Sequence, residues 1–575
     1  MRRSFFLVSL TLAVVAAGCA TGPSADEVFE GLANRYIDTM LRMDPVAATA
    51  YGDHRFDHEL TDLSEEAVRA RRDVAAAYLD SLTRVREDDL GEGNRIDLDI
   101  LRNRLESTVF SYDEIGEHRW NPLLHNVGGA IYGLVARDFA PLPDRLQALK
   151  SRLEAVPDAL DVARAVLDNP PRVFTETAIV QNRGTISLIL DDLQPFLDEA
   201  PELRDDFVGP RVRAIAALEA YGRWLEEDLL PRSDGEFRLG RDRFERKLRL
   251  TLESDLSLDE IRDAAQRDLV ETRAAMYELA LPLYRDYHPG RAGAADLPQD
   301  EVVAEVLDRL ADDHPDAETI VDQARADLEA ITDFVRQSDL VTLPDDPVEI
   351  IVMPEYQRGF AIAYCDAPGP LAENEKTFYS IAPPPADWDD ARCASYFREY
   401  NDHMLLDLTI HEAMPGHYLQ LAHANAFEAP TKVRSLFGSG VFVEGWATYA
   451  EQLMTEHGYG GAALRLQQLK MRLRLIINAI IDQDIHCGDM GEDEAMALMT
   501  GQGFQEEGEA AGKWRRAQMS STQLSTYYVG NLEINRLRRL AEEKRGGDFD
   551  LKAFHDELLS FGSPAPKHVQ RLMGL

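Results

Sequence analysis

Apolar side chains recur every three to four residues through most of this chain, and an α-helix is the element that gathers such a stripe on one side. Leu98, Leu101, Leu105 and Val109 form one stripe, and Leu146, Leu149, Leu153 and Val156 another, both set among Arg, Asp and Glu. These stripes read as core surfaces. Similar patterning runs from Asp26 to about Ser338, interrupted at Asn169-Pro170-Pro171, Pro231 and His288-Pro289-Gly290. Proline removes an amide donor and stops a helix at such points. There is no fixed-period repeat and no low-complexity tract. Residues 26–345 therefore read as an N-terminal helical scaffold.

The patterning changes at Leu343-Pro344. Glu349–Met353, Phe360–Tyr364 and Lys376–Ile381 are short β-rich runs closed by Pro383-Pro384-Pro385, and helical spacing resumes near Ala391. A small sheet within 346–385 is expected to open a second lobe, 346–575. Such a sheet either braces the lobe or offers an exposed strand to an extended peptide backbone.

Just downstream stands His411-Glu412-Ala413-Met414-Pro415-Gly416-His417, followed by Val443-Glu444-Gly445-Trp446-Ala447-Thr448-Tyr449. Two imidazoles and two carboxylates are the components of a zinc hydrolase: three ligands, a fourth position for water, and a separate glutamate as general base. In the common H-E-x-x-H arrangement the histidines sit four apart on one helical face. Here they are six apart, about 120° around a helix, so an unbroken helix would aim the rings away from each other. Pro415 and Gly416 supply the break, because proline cannot donate to the preceding turn and glycine tolerates unusual backbone angles. The expectation is that His411 and Glu412 end one helix and the Pro-Gly turn returns His417 to the same cation. Glu444 follows His417 by 27 residues in a helical run and is the expected third ligand. Glu451, seven residues further on the same face, and Asp407, one turn before His411, are candidates to orient a ligand imidazole.

Two later stretches complete the set. Asp482 and His486 are four apart in an apolar helix, so the aspartate could set the tautomer of the imidazole. Ser520 to Gly530 is polar and then aromatic, and Tyr527 within it is a candidate oxyanion donor. Arg472, Arg474, Arg515 and Arg516 are candidates to bind a substrate carboxylate.

The N-terminus reads as an export signal. Arg2-Arg3 precedes an apolar run from Phe5 to Ala17 that ends in Ala16-Ala17-Gly18-Cys19. Residues 1–18 are expected to be removed as a lipoprotein signal peptide, Cys19 to be lipidated, and 19–25 to serve as a tether. The alternative is ordinary secretion, or a soluble periplasmic protein, with an incidental cysteine. The remaining Cys365, Cys393 and Cys487 have no metal-site spacing. A net charge of −41 argues against nucleic acid and against electrostatic binding to an anionic membrane, leaving the lipid anchor as the expected membrane contact. No feature specifies an oligomeric state.

These residues carry a resemblance. The chain resembles the bacterial domain-of-unknown-function family 885 in 411–417, Glu444-Gly445-Trp446-Ala447, Asp482 to His486 and Gln523 to Gly530. Asp44 to Thr49 with Gly52, and Phe554 to Leu559, extend the likeness toward both ends. The chain departs from the family pattern at Asp484, where a glycine is usual. The resemblance implies a mainly α, large two-lobed helical metallopeptidase-like fold, gluzincin in type, with a small β-sheet beside the active-site helix. It further implies His411, His417 and Glu444 as ligands of one Zn²⁺ per chain, Glu412 as general base, and Tyr527 and His486 as transition-state donors. The expected function is hydrolysis of peptide substrates outside the cytoplasm, in a carboxypeptidase- or oligopeptidase-like manner. A metal-dependent amidase acting on non-peptide amides, or a non-catalytic binding lipoprotein that retains the metal site, are the alternatives.

Overall fold

The computed structural model describes residues 23–289, 297–345, 347–353, 362–372, 375–384 and 388–575. The expected export segment and Cys19 lie outside the described residues. The chain is 72% helical with one small sheet.

The first helix among the described residues is Ala25–Met43, which starts at the last residue of the expected tether. Ser24 accepts from the Glu27 amide while Glu27 accepts from the Ser24 amide, which satisfies two donors that a helix start otherwise leaves free. Phe29 and Ile37 from this helix pack with Leu98, Leu101 and Leu105 of Glu92–Phe110 in a core completed by Val433, Leu436 and Phe437. Leu146, Leu149, Leu153 and Val156, all on Leu142–Val166, lie fully inside a second core. Each such side chain contributes about 1.5–3 kcal/mol by leaving water. Both sequence stripes are core, and the break at Asn169-Pro170-Pro171 falls between helices ending at Val166 and starting at Arg172.

The cores do not divide at residue 345. Phe244, Ile261 and Val306 share one core with Leu473, Ile477 and Val529, so helices assigned from periodicity to the scaffold pack directly on C-terminal helices. Periodicity marks which face of a helix is buried but not which neighbour covers it, and this is why the expected boundary misses the packing.

The elements around the site follow in chain order. Ile320–Ser338 (α1) leads to a three-stranded sheet of Val348–Val352 (β1), Ala363–Asp366 (β2) and Thr377–Ile381 (β3). The strand order is β1-β3-β2, with β1 parallel and β2 antiparallel to β3. Of the expected second strand, Phe360 and Ala361 lie outside the described residues. Then come Asp402–Glu412 (α2), His417–Asn425 (α3), Gly440–Glu456 (α4), Gly461–Cys487 (α5), Glu507–Met519 (α6) and Ser525–Arg545 (α7). Tyr379 of β3 and Thr409 of α2 join the sheet to the first metal-site helix through their hydroxyls, 3.3 Å apart. Among the described residues no helix is long and apolar enough to cross a membrane.

Candidate metal centre

Asn401 starts α2 by accepting from the His403 and Met404 amides, and the helix runs buried to Glu412. His411 therefore stands in its last turn. Met414 and Gly416 donate to carbonyls of Thr409 and Ile410, folding the Pro-Gly turn back against the helix it leaves. Trp446 Nε1 of α4 donates to the Pro415 carbonyl at 2.8 Å and pins the turn from the other side. Gly416 has no room for a side chain: a Cβ would lie 1.9 Å from the His411 oxygen and 2.4 Å from the Ile410 oxygen. His417 then opens α3.

The break does what the spacing requires. The His411 and His417 rings stand 4.6 Å apart and perpendicular. Glu444 Oε2 of α4 lies 3.7 Å from His411 Nε2 and 3.4 Å from His417 Nε2. These separations are too long for good hydrogen bonds. They suit three ligands around one cation, since ligands about 2.1 Å from a tetrahedral zinc stand about 3.4 Å from one another. Glu444 Oε2 is buried and makes no hydrogen bond among the described residues, nor does His417 Nδ1. A buried carboxylate oxygen aimed at two imidazole nitrogens fits a divalent cation.

The electrostatics agree. Burial pushes the Glu444 carboxyl up, but the two imidazoles outweigh it and hold the group well below the usual carboxylate range. Burial opposes charge on His411, yet the Glu444 and Glu451 carboxylates outweigh it and raise its pKa. His411 Nδ1 is 2.6 Å from Glu451 Oε1, so the Nδ1–H donates there and Nε2, which faces Glu444, is the nitrogen at which a cation would take the place of a proton. Glu451 is 1% exposed. Asp407 is fully buried behind it, and burial, reinforced by the charge of Glu451, pushes its carboxyl well up.

Glu412 lies between the end of α2 and the sheet. Its Oε2 accepts from the Cys365 amide of β2 at 3.0 Å, an edge-strand donor that side-chain chemistry in the sequence does not reveal. Tyr527 comes to Glu444 because α4 and α7 cross at Gly445 and Gly530. A Cβ on Gly445 would be 2.6 Å from the Gly530 carbonyl carbon, so only paired glycines permit this approach. Burial and then the nearby Glu444 charge raise the Tyr527 pKa, keeping the hydroxyl protonated. The Tyr527 oxygen accepts from Arg516 at 3.0 Å and from Gln523 at 3.3 Å, which leaves its O–H free to donate.

His486 is committed elsewhere. Its Nε2 sits 3.0 Å from the Ala517 carbonyl and 2.8 Å from that of Ser520, so this nitrogen carries the proton and holds the segment between α6 and α7. The ring stacks on Phe244 at 5.7 Å. Its Nε2–H is therefore spent on these two carbonyls, unlike the transition-state donor that the resemblance implies. Asp482 does not bond His486 either. Its oxygens accept from the Thr522 and Ser525 amides and the Ser525 hydroxyl, because the start of α7 exposes donors that a buried carboxylate satisfies better than a ring one turn away. Asp482 thus acts on the centre by placing the helix that carries Tyr527. Asp484, the departure from the family pattern, pairs with Arg262 at 3.0 Å. Arg472 is bound to Asp268, Arg474 to Glu399, and Arg515 lies by Glu176. Arg516 is the one of the four without an acidic partner within 4 Å among the described residues.

Fold and site together define a mainly α-helical protein in which two histidines and one glutamate converge beside a small sheet in a set that could hold a cation. The chain belongs to the family described as bacterial protein of unknown function DUF885, whose pattern matches residues 45–573. A solved candidate lipoprotein of unknown function from Shewanella oneidensis is similar at 31% identity and a TM-score of 0.79, covering 95% of this chain and 100% of that one. A candidate lipoprotein from Colwellia psychrerythraea, 18% identical, shares the fold with a TM-score of 0.78 over 96% of this chain and 99% of that one. The M32 carboxypeptidase from Deinococcus radiodurans, at 11% identity and a TM-score of 0.36 over 95% and 94%, is a remote likeness that says nothing of chemistry. No curated protein matches the chain.

Proposed function

We propose that the protein is a zinc-dependent peptidase, exported and anchored through lipidated Cys19, that cleaves peptide bonds outside the cytoplasm. The observation that carries this reading is the convergence of His411, His417 and Glu444 with a separate carboxylate, Glu412, one residue from a ligand. Zinc held there would polarise the scissile carbonyl and lower the pKa of water toward ~7. Glu412 accepts the proton of the attacking water and passes it to the leaving amine, so that the acid and amine products balance. Tyr527 donates its free O–H to the oxygen on which negative charge develops. Glu451 keeps the His411 imidazole in the tautomer that presents Nε2 to the cation. The edge strand β2, beside Glu412, is positioned to meet an extended backbone.

Hydrolysis of a mixed peptide library, stopped by chelator and restored by zinc, is the test. Glu412→Gln should retain stoichiometric zinc and lose about 10²–10⁴-fold in rate. Near wild-type turnover in that variant would remove Glu412 from the mechanism.

A further inference from the structure

A basic cluster lies beside the metal centre and is not used in the steps above. On α6, Lys513 and Arg516 are three residues apart and Lys513 is buried. Arg516 bonds only neutral groups, Gln523 Oε1 at 2.9 Å and the Tyr527 hydroxyl at 3.0 Å. Lys513 has no hydrogen bond among the described residues, and its nearest carboxylate, Glu509, is 3.9 Å away. Glu509 is itself shared, with the Tyr400 hydroxyl at 3.0 Å and Arg474 at 3.7 Å. Glu399, the other acid here, is taken by Arg474 and Lys470. Lys470, Arg474, Lys513 and Arg516 thus have two carboxylates, Glu399 and Glu509, within 4 Å among the described residues, so basic groups outnumber the acids that pair with them in a chain whose net charge is −41. Buried cations are normally paired, because leaving water costs several kcal/mol per ion. A guanidinium without an acidic partner, beside a lysine held only by a shared carboxylate at 3.9 Å, is a seat for an anion that arrives with the substrate.

Resting on the peptidase reading, we propose that Lys513 and Arg516 form a carboxylate-binding subsite that selects peptides carrying a carboxylate near the scissile bond. Arg516 is the residue that links the subsite to the reaction, because the same guanidinium touches the Tyr527 hydroxyl and lies within electrostatic reach of Glu444. A carboxylate seated on Arg516 is therefore held by the same guanidinium that touches the proposed oxyanion donor, which places it on the Tyr527 side of the cation site. The carboxylate comes either from the C-terminus or from an acidic side chain. The buried state of Lys513 supports the idea: burial, only partly offset by Glu509, lowers its pKa to about 7, so an incoming anion would restore its charge.

The test uses zinc-loaded Glu412→Gln, which binds without turnover, and calorimetry with three ligands. These are a tetrapeptide with a free C-terminus, its C-terminal amide, and the amide carrying one glutamate. The free acid should bind about ten-fold or more tightly than the plain amide, the ratio expected for charge-assisted hydrogen bonds. Adding Arg516→Gln should bring the two within about two-fold while zinc content stays stoichiometric. Lys513→Met is the second variant and should reduce the same ratio. Preference for the free acid alone assigns the α-carboxylate, and equal gain from the glutamate amide assigns an acidic side chain. Equal binding of all three ligands, or no measurable binding of any, overturns the subsite. Cleavage of amidated peptides by the wild-type protein judges the peptidase reading separately.

Discussion

Replacing Gly416 by alanine tests the centre at its narrowest point. The added methyl would stand 1.9 Å from the His411 carbonyl oxygen, 2.4 Å from that of Ile410 and 2.6 Å from the His411 carbonyl carbon. All three are backbone atoms at the end of α2, so no rotamer change relieves the contact. Ordinary contact begins near 3.4 Å, and the turn must therefore open by about 1.5 Å. That movement breaks the hydrogen bond that the Gly416 amide donates to the Ile410 carbonyl and carries His417 away from Glu444, now 3.4 Å from it. Metal sites tolerate displacements of about 0.2 Å in ligand distance. Overpacking of this kind also costs about 1–3 kcal/mol of stability. We expect Gly416→Ala to fold with reduced stability in urea and to lose zinc affinity by at least about 100-fold in a competition titration against a chromogenic chelator. Wild-type zinc affinity in this variant would refute the reasoning that the close approach of residue 416 to α2 sets the ligand geometry.

Three further outcomes follow from the site. Glu451→Gln weakens the hold on His411 Nδ1 and should lower zinc affinity about 10-fold, read by the same titration. Tyr527→Phe removes the O–H and should lower kcat by about 10²–10³ while zinc stays bound; an unchanged kcat excludes the tyrosine from oxyanion stabilisation. Lys513→Met should stabilise the protein below neutrality. The folded-state pKa of about 7 lies beneath the ordinary value of 10.5, so the folded chain pays for the charge in full below pH 7 and is relieved as pH rises toward about 10. The advantage of the variant, at most on the order of 5 kcal/mol and reduced by the loss of the Glu509 contact, should shrink between pH 6 and pH 10 in urea unfolding. A variant less stable than wild type at pH 6 would show that Lys513 is a structural partner of Glu509.

Local chemistry was legible where it acts along the chain. The six-residue spacing of His411 and His417 demands a break, and the Pro-Gly pair inside it says where. Glu451 can be placed on the face of Glu444 from helical periodicity alone. The same rule fails for Asp482 and His486, which are one turn apart yet bond different partners. Each is buried, and each satisfies backbone groups of the α6–α7 segment that lie more than 30 residues away. The distinction between Arg516 and its three neighbours is equally invisible in sequence, since all four are basic residues on helices and only packing decides which ones meet an acid.

By itself, then, the sequence determined the helical class, the position of the sheet, the break at Pro415-Gly416 and the candidate set His411, His417 and Glu444. Those follow from periodicity and from backbone sterics, which act over a few residues. The tertiary structure decided that Cys365 of an edge strand meets Glu412, that Tyr527 lies within electrostatic reach of Glu444, and that Arg516 has no acidic partner within 4 Å among the described residues while Lys513 has only the shared Glu509. These depend on how closely helices distant in sequence can approach, and at Gly445 and Gly530 that approach is granted by two absent side chains whose partner neither local stretch names.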